Sequence, residues 1–597
     1  MSANVILKAS SIITMDPAQP RAEAVAFDSI SGKITAVGSF DEVRASAPEA
    51  RVHDLGVLVL MPGFIDPHSH PLNGGMVTQA PAYWISPYIQ NEKTKEYDFS
   101  TYEKLKAFWA QLDRELPEGQ PVICNGLDRM LQGAPELTNK DLDGCFPSGR
   151  KAVIIDNSGH EVYFSSSVIA GNPTVFPDGK PVADPTGASY GRVTQKDVDA
   201  DPTLTLGASN GRAYETAAIL SAVGYVLHAV IPDPLPSTAL WYKLMATNGI
   251  TMTSEHTYQT EMLPYYLALA SVDNSPLRLA LYHMSIEPDC GDEVPVPNLE
   301  SRLWKQGIKL WADGSPWVGS IASSFPYLDN KRVRDAGIPI GPGGTDNLNY
   351  SRVELDQLLD KYAAQGWQFA FHCNGDIALD VVLDAYQRAL VKHRLLGTDH
   401  RWRVEHCGGC RGDQFERAAS LGVMISLPPF QFIYWGDVLD GTMFPSEIGR
   451  QWVQAGDAMK TGAPVSFHND GCVSPPIPLL NVQSMVTRRT PSGRLHGPEQ
   501  AVILHDALLA HTMHAAYHLK RDHDLGSITV GKLADFVELS ADPYAVPIDR
   551  LVEEVKVNGT WSNGKRVDLA AFLDQIAKYP PIGAKPQARV AAMKRCC

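Results

Sequence analysis

Histidine and aspartate side chains end several short apolar runs of this sequence, and imidazole and carboxylate groups are common ligands of divalent transition metals. His68 and His70 stand two residues apart in DPHSH. On an extended segment both imidazoles point to one side, where they can share a metal ion. His372, His406 and Asp470 each end a later apolar run. One such residue alone could be an ordinary hydrogen-bonded group at a strand end, but five at matching positions predict a metal-dependent active site.

Short apolar runs recur along the middle of the chain, each followed by a polar loop and an amphipathic stretch typical of a helix. Near-continuously apolar strands that alternate with helices predict an α/β protein built on a (β/α)8 barrel. The catalytic face of such a barrel lies at the carboxyl ends of its strands, which is where the candidate ligands stand. The eight runs are VLMPGFIDPHSH (59–70), GITMTSEH (249–256), PLRLALYHMS (276–285), GIKLWADG (307–314), QFAFHCNGD (368–376), RWRVEHC (401–407), GVMISLPPF (422–430) and PVSFHNDG (464–471).

The sequence outside these runs predicts two further units. Both ends of the chain carry short β-rich runs separated by Pro, Gly and Asp, which predicts one small β-sandwich completed by both termini. The stretch between the first and second runs is too long for a loop, so we interpret it as an inserted subdomain that caps the active-site mouth. The predicted units are a β-sandwich domain (1–60 plus 525–570), a metal-dependent hydrolase barrel (61–70 plus 241–520), an inserted subdomain (71–240) and a C-terminal tail (571–597).

Composition limits the classes of partner. The chain has 597 residues, 44% of them hydrophobic, and a formal net charge of -15, so it can bury a large core and would repel nucleic acids and anionic membranes. Residues 1–15 lack the pattern of a secretion signal, and no stretch reaches the roughly 20 apolar residues that span a bilayer. We therefore predict a cytoplasmic protein with a small-molecule substrate. The single pair Cys407 and Cys410 is weak evidence for structural zinc or redox chemistry.

These residues resemble the metal-binding pattern of the amidohydrolase superfamily, which has HxH on strand one, a lysine on strand four, single histidines on strands five and six, and an aspartate on strand eight. The segments PGFIDPHSH, KLWADGS, FHCNGD, RVEHC and GKLADF are similar to the branch that contains N-substituted formamide deformylases and related N-acyl hydrolases (amidohydrolase family 3). The resemblance extends over essentially the whole chain. It implies one or two divalent metal ions, and it implies a homodimer because related barrels commonly associate in pairs.

By resemblance, Lys309 is the strand-four lysine that carries a carbamate bridging two metals. An unmodified lysine is a cation at neutral pH and cannot ligate a metal, whereas its carbamate is an anion with two oxygens. The alternative is a structural lysine, paired with an acid such as Asp313, beside a mononuclear site. Zinc suits these ligands, and ligand type leaves Mn, Fe, Co and Ni open. The implied ligands are His68, His70, Lys309 and Asp470 for the more buried metal, and Lys309, His372 and His406 for the more exposed one.

The implied chemistry is hydrolysis of a C–N amide bond, in an N-substituted formamide or another short N-acyl amide, by metal-activated water. Asp470 would accept the proton of that water and deliver it to the leaving nitrogen. The same metal set serves hydrolases of cyclic amides or imides and deaminases, and the fold does not choose among these reactions. A catalytically inactive binding scaffold is a further alternative, which the presence of all six candidate ligands disfavours.

Other polar and aromatic residues lie near predicted strand ends or in the inserted subdomain. His160 and His256 are candidate catalytic residues that would contact the substrate or the oxyanion, with a structural role as the alternative for each. His468 opens the segment HND, where the branch commonly has SD, which leaves the surroundings of the strand-eight aspartate open. We predict that His468, Trp311 and Trp435 bind substrate, with ordinary packing as the alternative for the aromatic residues.

Overall fold

At the centre of the computed structural model, which describes residues 4–89, 91–185 and 188–582, eight parallel strands form a barrel. Each strand pairs with the next one along the chain. The first and last strands meet where the His70 amide donates to Gly471 O at 2.7 Å and the Asp470 amide donates to His68 O at 3.2 Å. The predicted (β/α)8 barrel is confirmed. Barrel strands one to eight are Phe64–Ser69, Ile250–Tyr258, Arg278–Met284, Leu303–Trp311, Gln368–Cys373, Arg403–His406, Met424–Leu427 and Val465–Phe467.

Helices cover the outer face of the barrel and bury apolar side chains against it. In the helix that follows strand five, Leu379, Val382 and Leu383 recur at intervals of three and four and are all buried, which is the spacing of one helical face. The helices of this part of the chain are Leu235–Thr247, Leu263–Ser271, Lys331–Asp335, Arg352–Ala363, Asp376–Lys392, Gly412–Ser420, Pro429–Leu439, Ser446–Gly449, Ala455–Lys460, Pro478–Thr487, Leu504–Leu509 and Met513–His518.

Strands from the two ends of the chain form a second sheet. Val59–Pro62 pairs antiparallel with Phe536–Leu539 and so joins the N-terminal strands to the C-terminal ones. Alternate residues supply its two faces, because Val5 and Leu7 belong to one buried cluster and Ile6 to another. The strands are, in hydrogen-bonded order, Lys565–Arg566, Val557–Ser562, Phe536–Leu539, Val59–Pro62, Asn4–Ile13, Arg21–Asp28 and Ile34–Gly38, with Arg51–Asp54 beside Asn4–Ile13; the helices nearby in sequence are Phe40–Ser46, Leu551–Glu554 and Leu569–Ala577.

The segment between barrel strands one and two forms a third sheet, with two hydrophobic clusters of its own. A long insertion that builds its own core is a subdomain and not a loop. Its strands, in hydrogen-bonded order, are Ser189–Arg192, Ser209–Tyr214, Glu161–Phe164, Ala152–Asp156, Val122–Leu127 and Tyr83–Trp84. Its helices are Pro71–Thr78, Tyr102–Glu115, Arg129–Gln132, Asn139–Cys145, Ser166–Ala170, Gln195–Ala200 and Glu215–Val230.

Several boundaries fall elsewhere than the apolar runs suggest. Residues 59–62 belong to the terminal sheet, and barrel strand one begins after Gly63, where a Cβ atom would lie 2.1 Å from Thr251 Oγ1. The helix Leu235–Thr247 spans the boundary drawn at residue 241, and the helix Leu569–Ala577 spans the one at 571. Of the predicted tail, residues 583–597 lie outside the described residues.

Within the described ranges, no single helix has the length and apolarity to cross a bilayer. One helix pair, Ala217–Val230 with Leu235–Thr247, reaches them together but bends by 89° at its break. The second of these helices buries Trp241, Tyr242 and Met245 in the main core.

Candidate metal centre

The six predicted ligands lie at one end of the barrel, at or just beyond the carboxyl ends of their strands. Barrel strand one supplies the two histidines of HxH, strands five and six supply one histidine each, strand four supplies the lysine, and the loop after strand eight supplies the aspartate. The side chains are largely enclosed, with 16% of His70 and 13% of Asp470 exposed against 1% of His68. The site therefore opens to solvent on the side of His70 and Asp470.

The two histidines of barrel strand one each have their outer ring nitrogen engaged. Nδ1 of His68 lies 2.8 Å from Glu405 Oε2. Nδ1 of His70 lies 3.3 Å from Thr257 Oγ1 and 3.5 Å from Glu255 Oε1. An imidazole that donates through one nitrogen keeps a lone pair on the other, and metal-ligating histidines are typically held in this way. Both Nε2 atoms thus face the centre of the site, where Asp470 Oδ1 lies near each of them.

Asp470 completes this group. Its Oδ1 atom lies 3.1 Å from His70 Nε2 and 3.3 Å from His68 Nε2. Although Oδ1 is buried, it makes no hydrogen bond of good geometry with any described residue. The close approach of this carboxylate oxygen to two imidazole nitrogens is stabilised by positive charge, which a proton on His70 or a bound metal ion supplies. His68, His70 and Asp470 therefore fit a divalent metal ion, and mixed imidazole and carboxylate donors suit zinc.

The remaining predicted ligands surround this group. Lys309 Nζ lies 3.2 Å from His68 Nε2. Nε2 of His372 lies 3.0 Å from the carbonyl oxygen of Gly314, so that His372 keeps its Nδ1 lone pair, and its ring centroid is 4.5 Å from that of His406. The structure thus brings all six predicted ligands together.

Asp313, the acid considered as a partner for Lys309, has another use. Its two oxygens accept the backbone N–H groups of Asn374 at 2.9 Å, Gly375 at 2.7 Å and Ala322 at 3.1 Å. Burial outweighs these hydrogen bonds and raises the pKa of Asp313 to about 8. This side chain stabilises the turn that follows His372.

Backbone conformation aims His406 and Asp470 at the site. Side chains alternate along a strand, so His406 would face away from the side on which Arg403 and Glu405 lie. His406 instead has φ of 73°, and Asp470 has φ of 51°. Residues other than glycine uncommonly adopt this left-handed region, although His and Asp do so more often than most, and such conformations cluster at functional sites. Both residues owe their direction to this departure from regular strand geometry.

Charge is unevenly distributed in the site. Burial lowers the pKa of His68 well below its ordinary value, and the nearby His256 and Lys309 lower it further. Burial also opposes the charged form of His70, but the adjacent carboxylates of Asp470 and Glu255 raise the pKa of His70 to about 9. The HxH pair therefore combines one imidazole held neutral with one that attracts positive charge.

No motif in the sequence indicated the buried polar residues that position these ligands. Arg403 Nη2 lies 2.8 Å from Glu405 Oε2, and both residues are fully buried. Their spacing of two in RVEHC, which places them on one strand face, is the signal that could have indicated them. Asn469 Nδ2 lies 3.0 Å from Asp66 Oδ2, which ties the loop carrying Asp470 to barrel strand one. This contact describes the surroundings that the segment HND left open.

The two predicted catalytic histidines occupy different places. His160 lies in the turn between two strands of the inserted subdomain, with its ring centroid 5.9 Å from that of His372 and its Nδ1 atom 3.3 Å from Glu215 Oε1. His256 is fully buried, its ring is stacked 3.9 Å from that of His68, and its Nε2 atom lies 3.2 Å from Pro67 O. His160 therefore lies over the site, whereas His256 packs behind a ligand.

The predicted substrate-binding residues are also buried. Trp311 is 3% exposed and Trp435 is fully buried; the indole of Trp435 donates to Asp128 Oδ2 at 2.6 Å. His468 is fully buried and lies inside the metal centre, with Nε2 3.1 Å from His406 Nδ1. The packing alternative thus describes both tryptophans better than substrate contact does, and their role in substrate binding stays a prediction.

Comparison with known proteins assigns a family to this fold and site. Residues 51–568 match the amidohydrolase family, so the chain belongs to that family. It is a hydrolase of the amidohydrolase superfamily, the metal-dependent class whose pattern the strand-end residues resemble.

Relatives of similar length carry related names. The chain is 24% identical over 574 residues to "Putative amidohydrolase YtcJ" of Bacillus subtilis (strain 168), covering 92% of this chain and 97% of that protein. It is 24% identical over 576 residues to "N-substituted formamide deformylase" of Arthrobacter pascens, covering 93% and 96%. An uncharacterized metal-dependent hydrolase from Pyrococcus horikoshii OT3 has a similar fold, with a TM-score of 0.65, 21% identity, and coverage of 91% of this chain and 99% of that one.

Proposed function

We propose that this protein hydrolyses a C–N amide bond in a small molecule, an N-substituted formamide or another short N-acyl amide, at the metal centre described above. The observation that carries the proposal is the convergence of two imidazole Nε2 atoms on the hydrogen-bond-free Oδ1 atom of Asp470. When bound, a divalent ion would lower the pKa of water from 15.7 toward about 7 and polarise a carbonyl group.

His68, His70 and Asp470 would hold one ion, and Lys309 would join them as a carbamate. The position of Lys309 Nζ beside His68 Nε2 supports this role, because a carbamate on that nitrogen would place its oxygens next to the imidazole ligands. The carbamate would also remove a cation that opposes metal binding. Zinc is the proposed metal, since its usual ligands are nitrogen and carboxylate oxygen.

Asp470 would move the proton. It is partly exposed at the open side of the site, so it can reach both a water molecule and the nitrogen of a bound amide. Amines leave poorly as anions, and a carboxylic acid that returns the proton to nitrogen removes this barrier. His160, oriented by Glu215, is placed to contact the polar end of the substrate from the side of the inserted subdomain.

Two observations support the proposed substrate class. The named deformylase from Arthrobacter pascens and the aromatic residues between barrel and subdomain, such as Tyr88 stacked 3.8 Å from Tyr434, support an amide with an apolar N-substituent. Aromatic side chains offer such a group a large apolar surface.

The test measures metal content and turnover on one panel of substrates. Protein purified without chelator and with bicarbonate is assayed for metal per chain and for hydrolysis of N-benzylformamide, N-acetyl amines and cyclic imides. We expect bound metal and formamide turnover, and a loss of about 100- to 10,000-fold in turnover for Asp470→Asn. Lys309→Ala should lose metal as well as turnover.

Lys305→Ala is the matched control for Lys309→Ala. Lys305 lies on the same strand, but its Nζ atom donates to Cys290 O at 2.7 Å, away from the metal centre. This variant should keep both metal and turnover. Metal-free wild-type protein would contradict the proposal, and turnover of cyclic imides alone would contradict the proposed substrate class.

A further inference from the structure

The histidine that precedes Asp470 by two residues stands among the ligands. We propose that His468 is itself a metal ligand, an imidazole beyond those that the family pattern supplies; this inference rests on the metal centre of the proposed function. The nitrogen atoms that carry it belong to His68, His406 and His468, one from each ring, and all lie within 4.8 Å of one another.

The geometry of the contact with His406 fits a shared ion. His468 Nε2 lies 3.1 Å from His406 Nδ1. Two nitrogens that each lie about 2.0–2.1 Å from one tetrahedral zinc ion are separated by about 3.3 Å, close to the observed distance. His406 Nδ1 also lies 4.0 Å from Asp470 Oδ2. Nδ1 is therefore the ring nitrogen of His406 that faces the group formed by His68, His70 and Asp470.

The outer nitrogen of His468 is held as in the other ligands. Nδ1 lies 2.9 Å from Ser426 Oγ, and Ser426 Oγ also accepts from Ser466 Oγ at 2.9 Å. A hydroxyl oxygen has two lone pairs, so it can accept from both. Donation by Nδ1–H leaves the Nε2 lone pair of His468 facing the site. Ring position is fixed as well, because His468 stacks on His68 at 4.7 Å.

His372 does not belong to the group of imidazoles formed by His68, His406 and His468. Its Nε2 atom lies 3.0 Å from Gly314 O and 3.2 Å from Asn374 Nδ2. Within the described residues, the groups whose donor atoms approach closely enough to share an ion include His468 but not His372. The second group of ligands in this chain is therefore built around His406 and His468.

The competing arrangement needs no metal at this position. If Ser426 donates to His468 Nδ1, the proton of His468 lies on Nε2 and donates to His406 Nδ1. Neither of these two nitrogens could then bind an ion. The two arrangements differ by more than 1 Å in the distance from metal to His468 Nε2, which a crystal structure measures directly.

The first experiment uses the wild-type protein loaded with zinc. Crystal data collected above and below the zinc absorption edge locate each ion, and we expect one ion about 2.0–2.1 Å from His468 Nε2. Zinc bound by His68, His70 and Asp470, with no zinc ion within about 3 Å of His468 Nε2, would overturn the inference and leave the proposed function intact. A protein that binds no zinc would contradict the proposed function instead.

The second experiment measures the zinc affinity of variants by competition with a chelator. His468→Ala should bind the second zinc at least about 100-fold more weakly, and Ser426→Ala should weaken it by about 10- to 100-fold because the outer hydrogen bond is lost. His400→Ala is the matched control, since His400 is also buried but its Nε2 atom lies 3.0 Å from Leu421 O. Equal affinity in all three variants would overturn the inference.

Discussion

Glu405 connects a proposed ligand to the interior of the barrel. It accepts from His68 Nδ1 and is paired with Arg403 in a fully buried position. A carboxylate behind a ligating imidazole fixes the ring, selects the tautomer and raises its basicity. Arg403 Nη2, 2.8 Å from Glu405 Oε2, supplies the partner that a buried carboxylate needs. Metal affinity should therefore depend on a residue that does not touch the metal.

Glu405→Gln should reduce zinc affinity by about 10- to 100-fold, because an amide oxygen is a weaker acceptor for the imidazole N–H. Chelator competition measures the affinity, and thermal unfolding of the metal-free form measures the loss of stability from the unpaired Arg403. Asp535→Asn is the control, since it breaks a buried pair of the same kind with Arg278, whose Nε–Oδ2 distance is 2.6 Å, outside the metal centre. Equal zinc affinity in the two variants would argue against the proposed role of Glu405.

At the scale of single residues, the sequence predicted the proposed metal ligands but not the residues that form hydrogen bonds with them. His68 and His70 were predictable because a spacing of two has one meaning on an extended segment. The contact between His68 and Glu405 joins positions 337 residues apart, and no local pattern encodes such a pair. The role of His468 could not be predicted for the same reason, because two of its neighbours, His406 and Ser426, come from strands six and seven.

Barrel strand four illustrates how elements are adjusted to the site. The pairing of strands three and four shifts between Leu281 and Tyr282, so that one extra residue of strand four enters between Lys305 and Gly307. Such a bulge redirects the side chains that follow it, here that of Lys309. At Gly307 the backbone approaches strand five closely, because an added Cβ atom would lie 2.1 Å from Gln368 O.

Gly307→Ala should destabilise the protein by about 1–3 kcal/mol or more, since the clash is with main chain that cannot move without separating strands four and five. Urea unfolding measures the free energy. Gly144→Ala is the matched control: Gly144 is exposed in the helix Asn139–Cys145 and an added Cβ atom meets nothing within 4 Å, so this change should stabilise by about 0.5–1 kcal/mol. Equal effects would show that the close approach is absent in solution.

Element type was easier to predict than element bounds. The runs QFAFHC and PVSF were legible as strands because continuous apolar residues with Gly or Pro nearby are typical of buried parallel strands. Strand four begins at Leu303, four residues before the run GIKLWADG, and was missed because Lys305 and Gln306 are too polar to resemble a buried strand. Lys305 is tolerated there since carbonyl oxygens of a neighbouring loop accept from its Nζ atom.

Over the whole molecule, the inserted subdomain is joined to the barrel by polar and aromatic contacts above the site. The indole of Trp435 donates to Asp128 Oδ2, and the ring of Tyr88 from the subdomain meets it edge-on, with centroids 5.5 Å apart. The length of the insertion predicted a separate unit, but its sheet order was unpredictable because pairing of distant strands leaves no local signal. Trp435 is thus placed to hold the subdomain over the metal centre.

Trp435→Phe should lower the free energy of unfolding by about 1–3 kcal/mol more than Trp84→Phe does. Both changes remove part of a buried indole, but only Trp435→Phe takes away the indole donor of Asp128 Oδ2. Trp84 Nε1 makes no hydrogen bond to any described residue. Urea unfolding of the two variants gives the difference directly. Equal losses would mean that the Asp128 contact contributes nothing to holding the subdomain.

The terminal sheet also pairs two strands that are synthesised at very different times. Val59–Pro62 leaves the ribosome early, yet its partner Phe536–Leu539 follows only after the barrel and the subdomain have been made. At about 5–20 residues per second, a gap of roughly 470 residues corresponds to about 25–95 s. Throughout that time an apolar strand edge stays open to other nascent chains on the same messenger, so crowded translation is the stage at which this protein is most exposed to aggregation.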